Sequence, residues 1–475
     1  MSSRVLIVGA GVTGLSAALT AAEHAEVLLF DSTGRVGGVI RSERAGAFLV
    51  EAGPDTLLGR KGAAAELCER LGLGDRIVDL SARYMSPSIV RRGQLVPLPA
   101  GLAMLAPTRL LPLLRSPLLS PAGRLRMAAE RFVPARRSMT DESLSSFVRR
   151  RYGREAVDVL AQPFVAALFL GDAERLSATL TVPYLVTAER EHGSIARGLA
   201  AWKREDAAAA RPELFSLSGG LQTLVDAAAA RLPAGTLRRG VAVKSLVRDD
   251  STGGFRATTS DGATWLADAA ILACPAHAAA GIVEDLDPTL ARELASLDYA
   301  SCATVSLAYR RDAIDRPPAG FGFFVPRAEP LPFVACNVVS NKFPERAPRN
   351  CVFLRAFVGG AGGAELLEAD DEVLADTVHA GLARLFGLHH RPVFMRVCRY
   401  SRAMPQPEVG EADRRERLDA RLSAHPGLFV AGGGRGAIGL PDSIASGLLA
   451  GSSALGHARE ASSSEGTAGE GPGDR

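Results

Sequence analysis

The sequence predicts an α/β fold in which one parallel-sheet domain is divided between the two ends of the chain and interrupted by a helical insertion and an α+β unit. Three observations carry this reading. Residues 4–8 are a short apolar run, 15–25 are rich in alanine and leucine, and 26–30 are apolar again and end at Asp31. That order is strand, turn, helix, strand: one βαβ unit of a parallel sheet. Near the other end, residues 428–431 read as a strand feeding a glycine-rich turn and a helix over 443–457. Between the two ends, helix-type periodicity gives way to alternating, turn-punctuated sheet patterning.

Size and composition agree. At 475 residues the chain exceeds what one core supports, so two or three domains are expected. The 55 basic and 52 acidic residues nearly cancel to +3, which argues against a nucleic-acid partner. Cys68, Cys274, Cys302, Cys336, Cys351 and Cys398 stand singly, so no zinc or dithiol motif is indicated. Scattered thiols, and a start that enters a strand pattern without a signal-peptide profile, point to the cytoplasm. The lipophilic stretch 94–127 is broken by six prolines, from Pro97 to Pro121, and by Arg109 and Arg115. It falls short of the roughly 20 unbroken apolar residues a spanning helix needs.

The elements between the ends follow in order. Residues 46–51 alternate as a strand. Periodicity predicts helices over 141–152, 155–168 and 184–203, with Thr140 and Asp141 offering the first N-cap. Sheet patterning returns at 237–247, 255–259, 269–273, 302–310, 322–325 and 352–358, before an acid-rich helix over 364–385.

Three motifs carry the chemistry. Gly9-Ala10-Gly11-Val12-Thr13-Gly14 fits GxGxxG, placed between a strand and a helix. Gly9 permits the turn, Gly11 lets a pyrophosphate approach, and Gly14 lets the helix lie close. Asp31 ends the next strand, where an acceptor for a ribose hydroxyl belongs. This is a Rossmann-type dinucleotide site. Beyond it, Gly34-Arg35-Val36-Gly37-Gly38 offers exposed amides and a cation to a diphosphate. At the far end, Gly432-Gly433-Gly434 and Gly439-Leu440-Pro441-Asp442-Ser443 again set a glycine turn before a helix N-terminus.

The last two elements resemble those of the flavin amine oxidase and protoporphyrinogen oxidase superfamily, which makes the dinucleotide FAD. Residues 53–61 (Gly-Pro-Asp-Thr-Leu-Leu-Gly-Arg-Lys), Leu170-Gly171-Asp172, residues 190–194, residues 217–224 and Gly320-Phe321-Gly322-Phe323-Phe324-Val325-Pro326 resemble elements of bacterial protoporphyrinogen and coproporphyrinogen III oxidases. The likeness runs to about His457. Departures are Asp31 for the usual Glu, Leu170 for Ala, Gly193-Ser194 for Arg-Ser and Ser443 where Cys is common.

The resemblance implies FAD contacts at Gly9, Ala10, Gly11, Val12, Thr13, Gly14, Asp31, Ser32, Arg35, Gly37, Gly38, Gly53, Pro54, Asp55, Thr56, Val243, Gly433, Ile438, Gly439 and Leu440. Arg60, Lys61, Leu170, Gly171 and Phe323 are the implied substrate contacts, with Arg41 a further candidate for a carboxylate. It implies the division 1–84, 206–298 and 413–460 for the FAD domain, 85–205 for the helical insertion, 299–412 for the substrate domain and 461–475 for a disordered tail. The implied reaction is oxygen-dependent oxidation of a porphyrinogen to a porphyrin in haem biosynthesis. The flavin performs it, with no catalytic side chain and no metal. The segments 53–61 and 439–442 look more like the coproporphyrinogen-using branch. Alternatives are another oxidase or desaturase of the superfamily and a non-catalytic porphyrin-binding protein. The leucines and arginines of 102–127 suit either peripheral attachment at the inner face of the cell membrane or a cover over a substrate cleft. No oligomeric state is implied.

Overall fold

Apolar runs with no polar interruption build the first sheet. Val5, Leu6 and Ile7 are inaccessible to solvent, as strands buried on both faces must be. Five strands lie parallel in the order Leu237–Arg239, Glu26–Asp31, Arg4–Val8, Ala269–Leu272, Leu428–Val430. The strands come from separate stretches of chain, and the parallel pairs need long crossovers between them. The computed structural model describes residues 3–59, 62–81, 86–103, 105–138, 140–205, 214–360, 363 and 365–467.

One face of this sheet packs on the helices Val12–Ala21, Gln222–Ala230 and Leu440–Thr467. The other packs on the antiparallel strands Val243–Arg248, Phe255–Thr259 and Thr264–Ala267 and on two short helices. The last helix crosses the first closely: a Cβ at Gly447 would stand 2.2 Å from Thr13 O.

The second sheet has seven strands, in the order Phe394–Pro405, Tyr299–Arg310, Cys351–Gly359, Ala335–Val338, Gly322–Phe324, Ser88–Arg91, Gln94–Pro97. One face is closed by the helix Asp371–Phe386 through Val305, Leu307, Leu354, Ala356, Leu374 and Val378. The helical region forms its own core around Phe147, Tyr152, Leu160 and Val165.

Several boundaries differ from expectation. The hairpin 88–97 was expected with the insertion, but Ser88–Arg91 pairs in parallel with Gly322–Phe324 and completes the second sheet. The helix expected from 141 starts at Leu144, because Ser143 is the residue whose side chain accepts from the Ser146 amide. The helix expected over 155–168 contains a wider π turn at Val157–Ala161. The one expected over 184–203 breaks at Gly193, which takes the left-handed conformation, into Pro183–His192 and Ile195–Glu205. The acid-rich helix begins at Asp371, after a 3-10 turn at Glu365–Leu367. The tail expected from 461 continues the last helix to Thr467; a packed helix already nucleated extends readily into Ala, Ser and Glu.

Candidate functional site: two glycine cradles at the edge of a sheet face

The glycines of the first turn serve different ends. A Cβ at Gly14 would lie 1.8 Å from Gly9 O, so the chain's own packing requires glycine there. At Gly11, with φ −70°, the nearest atom to an added Cβ is Gly38 Cα at 3.9 Å. Neither backbone conformation nor internal packing demands glycine at that position. Room for another molecule does, and the first amides of Val12–Ala21, which lack acceptors within the helix, stand beside it. The residues present therefore fit a dinucleotide.

The second glycine element packs on the first. Gly37 N donates to Ala10 O at 2.8 Å, and Gly11 and Gly37 form a parallel bridge. Arg35 braces its own loop, donating to Val36 O (3.3 Å), to Ile40 O (3.0 Å) and to Gly38 O. Asp31 accepts from Ala10 N at 2.7 Å and from the Thr33 amide at 2.8 Å, while Ser32 is exposed beside it. Val241 N donates to Asp31 O at 3.0 Å and Gly240 N to Thr33 O at 2.8 Å. These bonds bring Val243, at the start of its strand, to the same corner.

The C-terminal turn meets this corner from the other side. Gly432 N donates to Ser446 Oγ at 2.9 Å, and a Cβ on Gly432 would strike Thr13. The Tyr299 hydroxyl donates to Gly433 O at 2.7 Å and accepts from Ala276 N at 2.9 Å. Burial pushes that phenol up to about 12, so it stays protonated as a donor. Ile438, Gly439 and Leu440, half-buried, follow at the N-terminus of the last helix.

Residues 51–56 are clamped to the second sheet. Arg355 donates to Glu51 O (2.8 Å) and Thr304 to Ala52 O (2.8 Å). Lys342 Nζ donates to Asp55 Oδ1 (2.9 Å) and Thr56 Oγ1 (2.5 Å), and Asn337 donates to Asp55 Oδ2 (3.2 Å). Burial would raise the Asp55 carboxyl, but Lys342, Arg355 and Arg346 outweigh it and hold the group well below the usual carboxylate range. Burial pushes Glu51 up against the pull of Arg346. The side chains of Asp55 and Thr56, expected at the cofactor, are thus turned to the sheet. Gly53 lies against the glycine loop, where a Cβ would be 2.0 Å from Val39 O, and Pro54 follows it.

The sheet face opposite Asp371–Phe386 carries Phe324, Phe357, Cys302 and Tyr400, all half-buried. Phe323, expected at the substrate, points the other way and is 2% exposed against the rings of Phe333 and Phe386. The two-residue period of the strand puts its neighbour Phe324 on the open side. Burial raises Cys302 to about 11 and also raises Cys398, so neither is a thiolate at neutral pH.

The insertion reaches this face through Leu170 and Gly171. Leu170 ends its helix in the left-handed conformation (φ +55°), and a Cβ on Gly360 would be 2.7 Å from Leu170 O. Gln406 Nε2 donates to Phe169 O at 2.8 Å. Asp172 pairs with half-exposed Arg327 at 3.0 Å beyond the end of Gly322–Phe324. Arg41 is paired with Glu43, and Arg60 and Lys61 lie outside the described residues. Tyr299, Thr304, Asn337, Lys342 and Arg355 were not singled out from sequence. Each meets at least one partner across more than 130 positions, and no local motif marks them.

A two-part cradle for a dinucleotide at the edge of an aromatic sheet face defines a flavoprotein of known architecture. The profile for flavin containing amine oxidoreductases matches residues 12–452, and the chain belongs to that family. It is a flavin-dependent oxidoreductase. Among its relatives is the coproporphyrinogen III oxidase of Bacillus subtilis (strain 168), 32% identical over 95% of this chain and 97% of that one. The mitochondrial protoporphyrinogen oxidase of Nicotiana tabacum is 27% identical over 94% and 93%. A solved structure from Exiguobacterium sp. 255-15, assigned as a protoporphyrinogen oxidase, superposes with a TM-score of 0.84 at 29% identity, covering 96% of this chain and 99% of that one.

Proposed function

We propose that this protein oxidises a porphyrinogen to the porphyrin, with coproporphyrinogen III as substrate, FAD as cofactor and oxygen as final acceptor. The observation that carries the reading is the half-buried row of Phe324, Phe357 and Tyr400. Its Tyr400 end touches the first glycine loop, the hydroxyl donating to Val39 O at 3.4 Å, and its Phe324 end packs on the insertion, in a chain whose relatives of nearly equal length are named for this reaction. Bound FAD supplies the two-electron acceptor, and three cycles remove the six electrons that separate the two oxidation levels.

The chain's own part is to bind and enclose. Gly9 to Gly14, Asp31, Ser32, Arg35, Gly37, Gly38 and Val243 hold the adenosine and diphosphate. Gly53, Pro54, Gly433, Ile438, Gly439 and Leu440 line the flavin ring, with a helix N-terminus beside it for negative charge. Phe324 and Phe357 offer a flat apolar wall, and Leu170 and Gly171 close it from the insertion and exclude water. Arg327, which can exchange Asp172 for another carboxylate, suits a substrate propionate at the rim. The residues 53–61 and 439–442 that resemble the coproporphyrinogen branch support the choice of substrate.

Aerobic incubation with each porphyrinogen, followed by porphyrin fluorescence, tests the proposal. Faster oxidation of coproporphyrinogen III is expected, faster oxidation of protoporphyrinogen IX would reassign the substrate, and no acceleration of either would overturn the reaction.

A further inference from the structure

Nothing in that reading uses an ionised side chain beneath the sheet face, yet five lie buried there. Glu51, Asp55, Lys342, Arg346 and Arg355 are between 0% and 6% exposed. Lys342 is matched by Asp55. Arg346 donates to Ser216 Oγ at 2.5 Å and stands 3.3 Å from Glu51 Oε1. Arg355 donates one terminal nitrogen to the Glu51 carbonyl, and its other stands 3.8 Å from Asp55 Oδ2.

Burial works against the charge on Lys342 while Asp55 supports it, but the guanidinium groups of Arg346 and Arg355 do not give up their protons in a protein. Burial also pushes Glu51 up, which weakens the countercharge beside the two arginines. Arg355 Nε, Arg346 Nε and one Arg346 Nη have no acceptor among the described residues. Burying an unmatched cation is costly, and a structural ion pair alone does not account for it. Its position is the clue. Arg355 sits behind residues 51–53, its guanidinium 4.7 Å from the centre of the Phe357 ring and on the strand face shared with Cys302 and Tyr400.

We propose that Arg355, backed by Arg346, supplies a fixed positive charge beneath the flavin ring that raises the cofactor's reduction potential. Reduction brings negative charge to the ring, and a buried cation favours it far more strongly than an exposed one does. The inference rests on the flavin placement proposed above. Arg355 acts through charge and does not touch the reacting atoms.

The test is the midpoint potential of the bound flavin, measured anaerobically against a reference dye in wild type, Arg355→Met and Arg355→Lys. Arg355→Met is expected to hold flavin at a clearly lower potential, and Arg355→Lys to return it to the wild-type value. Wild-type potential in a flavin-replete Arg355→Met protein would overturn the inference, as would an Arg355→Lys potential as low as that of Arg355→Met. Should Arg355→Met not retain flavin, Arg346→Met carries the test with the same two outcomes, a lowered potential in support and an unchanged one against. A wild-type preparation without flavin absorption would overturn the placement itself. Failure to turn over either porphyrinogen would leave the potential measurement intact.

Discussion

Lys342 Nζ donates to Asp55 Oδ1 at 2.9 Å, both side chains are almost fully buried, and the pair ties the segment after Gly53 to the seven-stranded sheet. Removing one partner of such a pair strands the other in a low-dielectric setting, which costs about 3–5 kcal/mol. Lys342→Met is expected to lose that much stability in chemical denaturation of the holoprotein. The pH dependence follows from Asp55, whose folded pKa is depressed below an unfolded value of about 3.9. Its contribution is fully present above that unfolded value and is lost as pH falls through the depressed folded one. The Asp55 contribution to wild-type stability should therefore be flat from neutral pH down to about 5 and be lost only in stronger acid. Protonation of the wild-type Asp55 carboxylate between pH 8 and about 5, followed by its infrared or carbon-13 signal, would contradict it.

How much of this was legible in the sequence divides by distance along the chain. Gly9 to Gly14 and Asp31 lie within one βαβ unit, where hydrophobic period and glycine spacing fix both structure and location. The C-terminal turn was legible for the same reason. Phe323 was misplaced because a strand's period gives alternation but not which face is covered; the helix Asp371–Phe386 decides that. The clamp on residues 51–56 was invisible, since Thr304, Asn337, Lys342 and Arg355 reach it from strands and a helix some 250 to 300 positions away. The break at Gly193 could have been read, because glycine at a helix C-terminus is a common stop.

Gly11 and Gly14 should respond to the same substitution in opposite ways. Gly11→Ala places its methyl in open space, so melting of the flavin-free protein should stay within about 1 kcal/mol of wild type. Flavin retained on purification should fall, because the methyl occupies the approach to the diphosphate. Gly14→Ala drives its methyl into Gly9 O and is expected to destabilise the fold itself. Absorbance ratios for flavin and denaturation of the apoprotein separate the two. Equal loss of stability in both variants would sink the distinction.

Leu170 pairs a buried side chain with a backbone conformation that disfavours side chains. Leu170→Ala keeps the left-handed strain and loses packing, for an expected cost of about 2–3 kcal/mol. Leu170→Gly loses the same packing but relieves about 1 kcal/mol of strain. Glycine should thus be the more stable of the two, the reverse of the order expected inside a helix. Because Leu170 closes the proposed slot, both variants should raise KM for porphyrinogen more than they lower kcat. A glycine variant less stable than the alanine variant would show that the conformation carries no strain.

The region expected to meet a membrane or to cover a cleft does present an apolar surface. Leu110, Leu111, Leu114, Leu125 and Phe132 are 38% to 75% exposed, and Arg109, Arg115, Arg124 and Arg131 are interleaved with them. Among the described residues no helix is long and apolar enough to cross a bilayer. Leu113, Leu118 and Leu119 turn inward to the insertion's own core, which leaves the outer leucines without a packing role there. Inserting Leu111 and Phe132 into an interface is worth about 1.5–3 kcal/mol each. Leu111→Glu with Phe132→Glu should therefore weaken co-sedimentation with phosphatidylglycerol vesicles by roughly a hundredfold or more. Binding of the wild type should fall as salt rises, since the arginines act through screened charge. Unchanged vesicle binding in the double variant, or none in wild type at low salt, would assign these leucines to the cover over the cleft instead. Porphyrinogen turnover of the detergent-free double variant separates those outcomes further: a membrane role leaves it at the wild-type rate, and a cover role lowers it.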